Sequence, residues 1–183
     1  MDKVKSGITK ETVENQVIGA GAVYVNYGET GERKLGATRG GNTFVVEQEV
    51  RDVEVDGAKG KVKGMRRIIT VIPRLTVNLL EMSADNIVKA LPGSEKTDDT
   101  DHDEITRDRN IELDDYIDNI AIVATVSGTD EPIIVKIDNA LADNNFEMSF
   151  NNNDEVVTEI QFTGHFDYDD LDTEPWEIRY PKN

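Results

Sequence analysis

The sequence predicts a mainly β fold, an antiparallel β-sandwich or barrel with one short flanking helix. Three observations predict it: several stretches alternate apolar and polar residues with period two, Gly-containing turns separate them, and a single segment has helical spacing.

Residues 17–27, VIGAGAVYVNY, read as a strand whose small residues permit close packing, and YGETGERK supplies a turn. GATRGGN reads as a loop. From Thr43, the residues Phe44, Val46 and Val50 fall on one side and Glu47, Glu49 and Arg51 on the other, with Val45 breaking the polar side. A glycine-rich stretch follows. In RRIITVIPRLTVNLLEM, Ile68, Thr70 and Ile72 share a face, and Leu75, Val77 and Leu79 resume an alternation beyond Pro73. Proline lacks the amide donor that a central ladder needs, so Pro73 predicts an edge or a bulge.

Ser83 is placed to cap a helix in which Ala84, Ile87, Val88 and Leu91 fall at i, i+3, i+4 and i+7, and Pro92-Gly93 ends it. Residues 94–110, SEKTDDTDHDEITRDRN, are polar and charge-dense and read as a mobile acidic loop. Strand signals return at NIAIVATVSG, at PIIVKID and at VVTEIQFTGHF, where Val156, Thr158, Ile160 and Phe162 alternate with Val157, Glu159, Gln161 and Thr163.

The chain of 183 residues fits one domain, 1–183, with a flexible N-terminal arm over 1–16, the acidic loop over 94–110 and a C-terminal extension over 167–183. It has no cysteine, which excludes disulfides and thiolate metal sites, and no apolar run long enough for a membrane helix. The expectation is a soluble, cytoplasmic protein without a membrane partner.

Charge is unevenly distributed. Residues 1–96 hold 15 basic and 13 acidic side chains, net +2, while 97–183 hold 5 and 24, net −19, which together give −17. Such halves suit docking of one copy's basic part on another's acidic part; a solvated acidic face is the bland alternative. The positive charge concentrates in DGAKGKVKGMRR, where Lys59, Lys61, Lys63, Arg66 and Arg67 follow Asp56 among Gly57, Gly60 and Gly64.

Catalytic and cofactor motifs do not hold up. Gly19-Ala-Gly21 lacks the third glycine and the helix of a dinucleotide turn, and GAKGK lacks the frame of a phosphate-binding loop. Asp99, Asp101 and Asp103 begin like a calcium loop, but Glu104 stands where the turn glycine belongs and Asn110 where the bidentate Glu belongs. His102 and His165 sit in no nucleophile or zinc motif, and paired acids are common only because acids are common. No catalytic residue, metal or cofactor is expected. The basic stretch has no aromatic for base stacking, so an acidic protein face suits it better than nucleic acid.

The stretches VIGAGAVYVNYGETGERKLGATRGGNTF, VEQEVRDVEVDGAKGKVKGMRR, LTVNLLEMSADNIVKALPG, NIAIVATVSG, FTGHFD and DLDTEPWEI together resemble the major tail tube proteins of long, non-contractile-tailed bacteriophages and related prophages of Gram-positive hosts. The likeness covers about residues 17–93 and 111–180 and omits the acidic segment near 96–110. It implies a β-sandwich subunit, assembled in the host cytoplasm into hexameric rings that stack as the virion's hollow tail. It further implies a tape-measure protein in the lumen, tail terminator and distal tail proteins at the ends, and DNA passing through. The long loop that such proteins extend to neighbouring subunits corresponds to Asp52–Arg67, with Asp56, Gly57, Lys59, Gly60, Lys61, Lys63, Gly64, Arg66 and Arg67 as contact residues. Candidate lumen-facing acids are Glu47, Glu49 and Glu159. The competing expectation is a monomeric acidic β-sandwich binding module, calcium-dependent through Asp167, Asp169, Asp170, Asp172 and Glu174.

Overall fold

The computed structural model describes residues 6–107 and 110–182. Residues 1–5 of the expected N-terminal arm, 108–109 of the acidic loop and 183 of the C-terminal extension lie outside it. The described chain contains β1 (Val17–Val25), β2 (Arg33–Lys34), β3 (Thr38–Asp52), β4 (Arg66–Leu79), β5 (Ser94–Asp98), β6 (Asp103–Arg107), β7 (Ile117–Val126), β8 (Ile133–Ala142), β9 (Thr158–Gly164) and β10 (Trp176–Arg179), with helices α1 (Lys10–Glu14) and α2 (Ala84–Ala90).

Eight strands form one antiparallel sheet in the order β2-β1-β7-β8-β9-β4-β3, with β10 beside β8. One cluster holds Val23 and Val25 of β1, Leu75, Val77 and Leu79 of β4, Ile117 and Ile120 of β7, Ile137 and Ala140 of β8, and Ile160 and Phe162 of β9. The alternation predicted for β4 and β9 therefore points its apolar members inward. Because both halves of the sheet feed the same cluster, the sheet curls over on itself. The Asn42 side-chain amide, donating to the Ala20 carbonyl at 3.0 Å, ties β3 to β1 where the two ends approach.

The fold class is as the sequence predicts, but four local expectations need correction. The loop expected at GATRGGN is strand from Thr38 onward, because a register shift between Thr38 and Asn42 absorbs Gly40 and Gly41 within the ladder. Gly21 likewise serves a bulge between Ile18 and Ala22. Its φ of +72° is left-handed, and a Cβ there would lie 2.5 Å from the Ile122 side chain. The charge-dense 94–107 segment is a hairpin, β5 paired to β6, where Lys96 bridges Asp85 at 3.0 Å and Asp103 at 3.8 Å. Lys96, which lies opposite Ile105 and diagonal to Asp103, offsets part of the repulsion between the directly opposed Asp98 and Asp103. Within the expected N-terminal arm, α1 forms with Thr9 as a capping residue, and the Ser127 hydroxyl donates to the Val13 carbonyl.

Helix α2 is where expected, capped by Ser83, but it is rolled about its axis. Asn86 and Ala90 are its buried residues, while Ala84, Ile87, Val88 and Leu91 are only half-buried. Asn86 dictates that roll: its side-chain amide donates to the carbonyls of Leu35 at 2.6 Å and Glu81 at 3.1 Å, and its oxygen accepts from Arg33 at 2.9 Å. A buried carbonyl left unpaired costs about 1–3 kcal/mol, so these bonds outweigh a purely apolar stripe. The helix ends in a turn with Pro92 second and Gly93 (φ +75°) third, closed from Ser94 N to Leu91 O at 3.1 Å.

Candidate functional site

The ladder between β4 and β9 runs only from Leu79 to Arg74, and the next residue is Pro73. Proline thus stands where pairing on that side ends, as its missing N–H requires. Beyond it β3 and β4 continue as a two-stranded arm, from Val46 opposite Pro73 out to Asp52 opposite Arg66, and the basic segment closes its end.

That segment is built from hydrogen-bonded turns. Val53 N donates to Met65 O at 2.7 Å, extending the stem, and two β-turns fill the rest. One runs 55–58, closed from Ala58 N to Val55 O at 3.1 Å. The other runs 62–65, closed from Met65 N to Val62 O at 3.1 Å. Gly57 (φ +84°) and Gly64 (φ +85°) occupy the third positions in a left-handed conformation that glycine adopts without steric cost.

The five cations divide into two sets. Lys61 reaches Asp52 at 2.9 Å and Arg66 reaches the same carboxylate at 3.0 Å, while Arg67 donates to the Gly64 carbonyl at 3.1 Å. These three hold the loop's own shape. Lys59 and Lys63 are exposed and have no ion-pair partner among the described residues. Val62, between Lys61 and Lys63, is also exposed.

The charge asymmetry of the chain is partly consumed internally. Arg39 in the first half meets Asp154 and Glu155 in the second, both at 2.8 Å, and Arg74 meets Asp143 at 2.9 Å. Lys59 and Lys63 are the loop cations left for an outside partner.

Glu47, Glu49 and Glu159 do share one face. Register pairs Glu47 with Ile72, Glu49 with Thr70 and Asn78 with Glu159, and Phe44, Leu75, Val77, Ile160 and Phe162 point to the opposite, core side. At the centre of the outer face Arg74 contacts Glu47 at 3.4 Å, Gln161 at 3.0 Å and Thr163 at 3.1 Å besides Asp143. Acids surround the Arg74 guanidinium on this face, and Arg51 lies farther along the same side of β3. Sequence reading missed Arg74 and Asp52 as organising residues. Arg74 stands on the same alternation as Thr70 and Ile72, and Asp52 opposes Arg66 in the stem, so both were visible once register was known.

The C-terminal acids build turns. Asp167 Oδ1 accepts from Asp169 N at 2.8 Å, and Asp170 Oδ1 accepts from Asp172 N at 3.1 Å and Thr173 N at 3.2 Å. Among the described residues no group of three or more His, Asp or Glu side chains is arranged to hold a metal ion. His165 stacks edge-on to Tyr116 with ring centroids 5.2 Å apart, and its Nδ1 lies 3.1 Å from the Asn139 carbonyl. No helix of the described residues is long and apolar enough to cross a membrane.

Several carboxyls are held below their ordinary range: Asp52 by Lys61, Asp85 by Lys96, Asp154 by Arg39, and Asp170 by Thr173. Burial pulls Glu177 upward, but hydrogen bonds from Arg179 and Lys136 outweigh it and leave that carboxyl lowered too. A depressed carboxyl stabilises the fold above its unfolded value, 3.8 for Asp and 4.5 for Glu, and that contribution vanishes as pH falls through the lowered native value. Relief of the −17 charge acts oppositely as pH nears the pI of about 4.4. Calorimetric melting should therefore show a flat or rising Tm from pH 7 to about 4.5 and a steep fall below about pH 4. A Tm still rising at pH 3 would contradict this account.

No protein-family model matches the chain, and no curated protein matches it.

Proposed function

We propose that this chain is a structural, non-enzymatic subunit that assembles with copies of itself into a hollow tube. That is the role of the major tail tube protein of long, non-contractile-tailed bacteriophages, which its motifs resemble. The observation that carries the reading is the β3–β4 arm: a monomer has no evident use for a two-stranded ribbon that leaves the core, exposes Ile68 and Ile69, and ends in two lysines with no ion-pair partner among the described residues. Stacked rings of so acidic a chain need local attraction between unlike surfaces, and Lys59 and Lys63 meeting acids of another copy supply it. Because the two surfaces differ, the contact repeats into an open filament instead of closing on itself.

The acidic face bearing Glu47, Glu49 and Glu159 suits the channel wall. Carboxylates repel phosphate and let DNA slide, the inverse of the counterion release that makes basic surfaces hold it. In this role the lumen first holds a tape-measure protein, terminator and distal tail proteins close the ends, and the tube belongs to the virion tail. Negative-stain electron microscopy with size-exclusion light scattering, at low and moderate salt, tests the reading. Hollow tubes or hexameric rings, as the resemblance implies, are the expected result. A monomer at every condition, including with a tail-tip complex added as nucleus, would overturn it.

A further inference from the structure

Below the loop, the core-side face of the arm borders a groove. Ile69 and Val71, together with Ile68, form one wall of this groove of about 580 Å³, and Phe166, Leu171, Asp172 and Glu174 form the other. Leu171 is 71% exposed and Ile69 53%, and with Ile68 and Phe166 they make a contiguous exposed apolar patch of the kind that marks an interaction surface. The rim is acidic. Glu174 is engaged by the Trp176 indole N–H at 2.7 Å, whereas the carboxylate of Asp172 has no ion-pair partner among the described residues.

We propose that this groove is the seat for the loop tip of a second copy of the chain, with Val62 against Leu171 and Ile69, and Lys59 and Lys63 on the rim acids Asp172 and Glu174. The inference rests on the self-assembly reading and names the surface that receives the loop. Complementarity selects the occupant: an apolar, acid-rimmed groove calls for an apolar residue beside cations, and exposed Val62 with Lys59 and Lys63 is that pattern, on a loop whose shape the Lys61–Asp52 bridge holds. A chain cannot fill its own groove. The tip stands at the far end of the arm that forms the groove's wall, and folding back would break the pairs Asp52–Arg66, Arg51–Arg67 and Val50–Ile68.

The absence of native cysteine makes cross-linking clean. Val62→Cys and Leu171→Cys proteins, mixed in equal amounts and oxidised with oxidised glutathione, should give a disulfide joining position 62 of one copy to position 171 of another, identified by peptide mass spectrometry. Added Lys63→Glu or Asp172→Lys should each cut its yield at least about ten-fold, and Lys63→Glu on one partner with Asp172→Lys on the other should restore it. Assembly on the grid without the mixed disulfide would overturn the proposed seat and leave self-assembly standing. The mixed disulfide without rings or tubes would uphold the seat and sink the tube reading, and neither product would sink both.

Discussion

Replacing Lys59 and Lys63 together by glutamate abolishes high-mass assembly while leaving the melting temperature within the scatter of surface substitutions. The two exchanges take the net charge from −17 to −21, a small change for the whole molecule. Locally it is complete, because it converts both unpartnered loop cations into anions that must then approach Asp172 and Glu174. Like charges brought together at an interface cost several kcal/mol, whereas exposed side chains away from core features change stability by about 0.5 kcal/mol or less. Lys61→Glu should behave differently, since it destroys the bridge to Asp52 at 2.9 Å and sets two carboxylates side by side. It loosens the loop itself and should raise protease cleavage near residue 60. Wild-type-length tubes from the Lys59→Glu, Lys63→Glu double variant would remove electrostatics from the account. Raising ionic strength past the point where the Debye length falls to about 8 Å should weaken wild-type assembly in the same direction.

Phe162→Ala should be the most damaging single truncation, costing about 3–5 kcal/mol and lowering Tm by on the order of 10 °C. Phe162 is fully buried where three strands meet: its own β9, Leu75 of β4 and Ala142 of β8 are register neighbours. The surrounding residues belong to a continuous sheet and cannot collapse into the space, so the cavity term adds to the lost transfer energy. Denaturant unfolding with an unchanged m-value reads the loss directly. A shift no larger than that of the exposed Val45→Ala would mean that the packing around Phe162 has been misjudged.

The elements legible in the sequence were those whose buried face repeats strictly every second residue. Leu75, Val77, Leu79 and Thr158, Ile160, Phe162 announced both their strands and which side faces inward. Elements stabilised by something other than periodicity were not legible. The β5–β6 hairpin depends on Lys96 reaching Asp85 of the preceding helix, a contact that spacing cannot foresee. The roll of α2 depends on where the Leu35 and Glu81 carbonyls end up. The loop illustrates the same division: its charge and glycines stood out, but which lysines face inward depends on Asp52, and Asp52 acquires that role only once the stem is in register.

The arm also sets how the molecule breathes. From Glu47 to Asp52, β3 pairs with β4 alone, while Arg74–Leu79 of β4 are held on both sides. Opening the distal ribbon exposes no core residue, so its amides should exchange with solvent hydrogen by small local fluctuations, and those of Val77 and Phe162 only when the whole domain unfolds. The steep gradient of protection along the single strand β4 gives the protein a part that can reshape to fit a neighbour without putting the fold at risk.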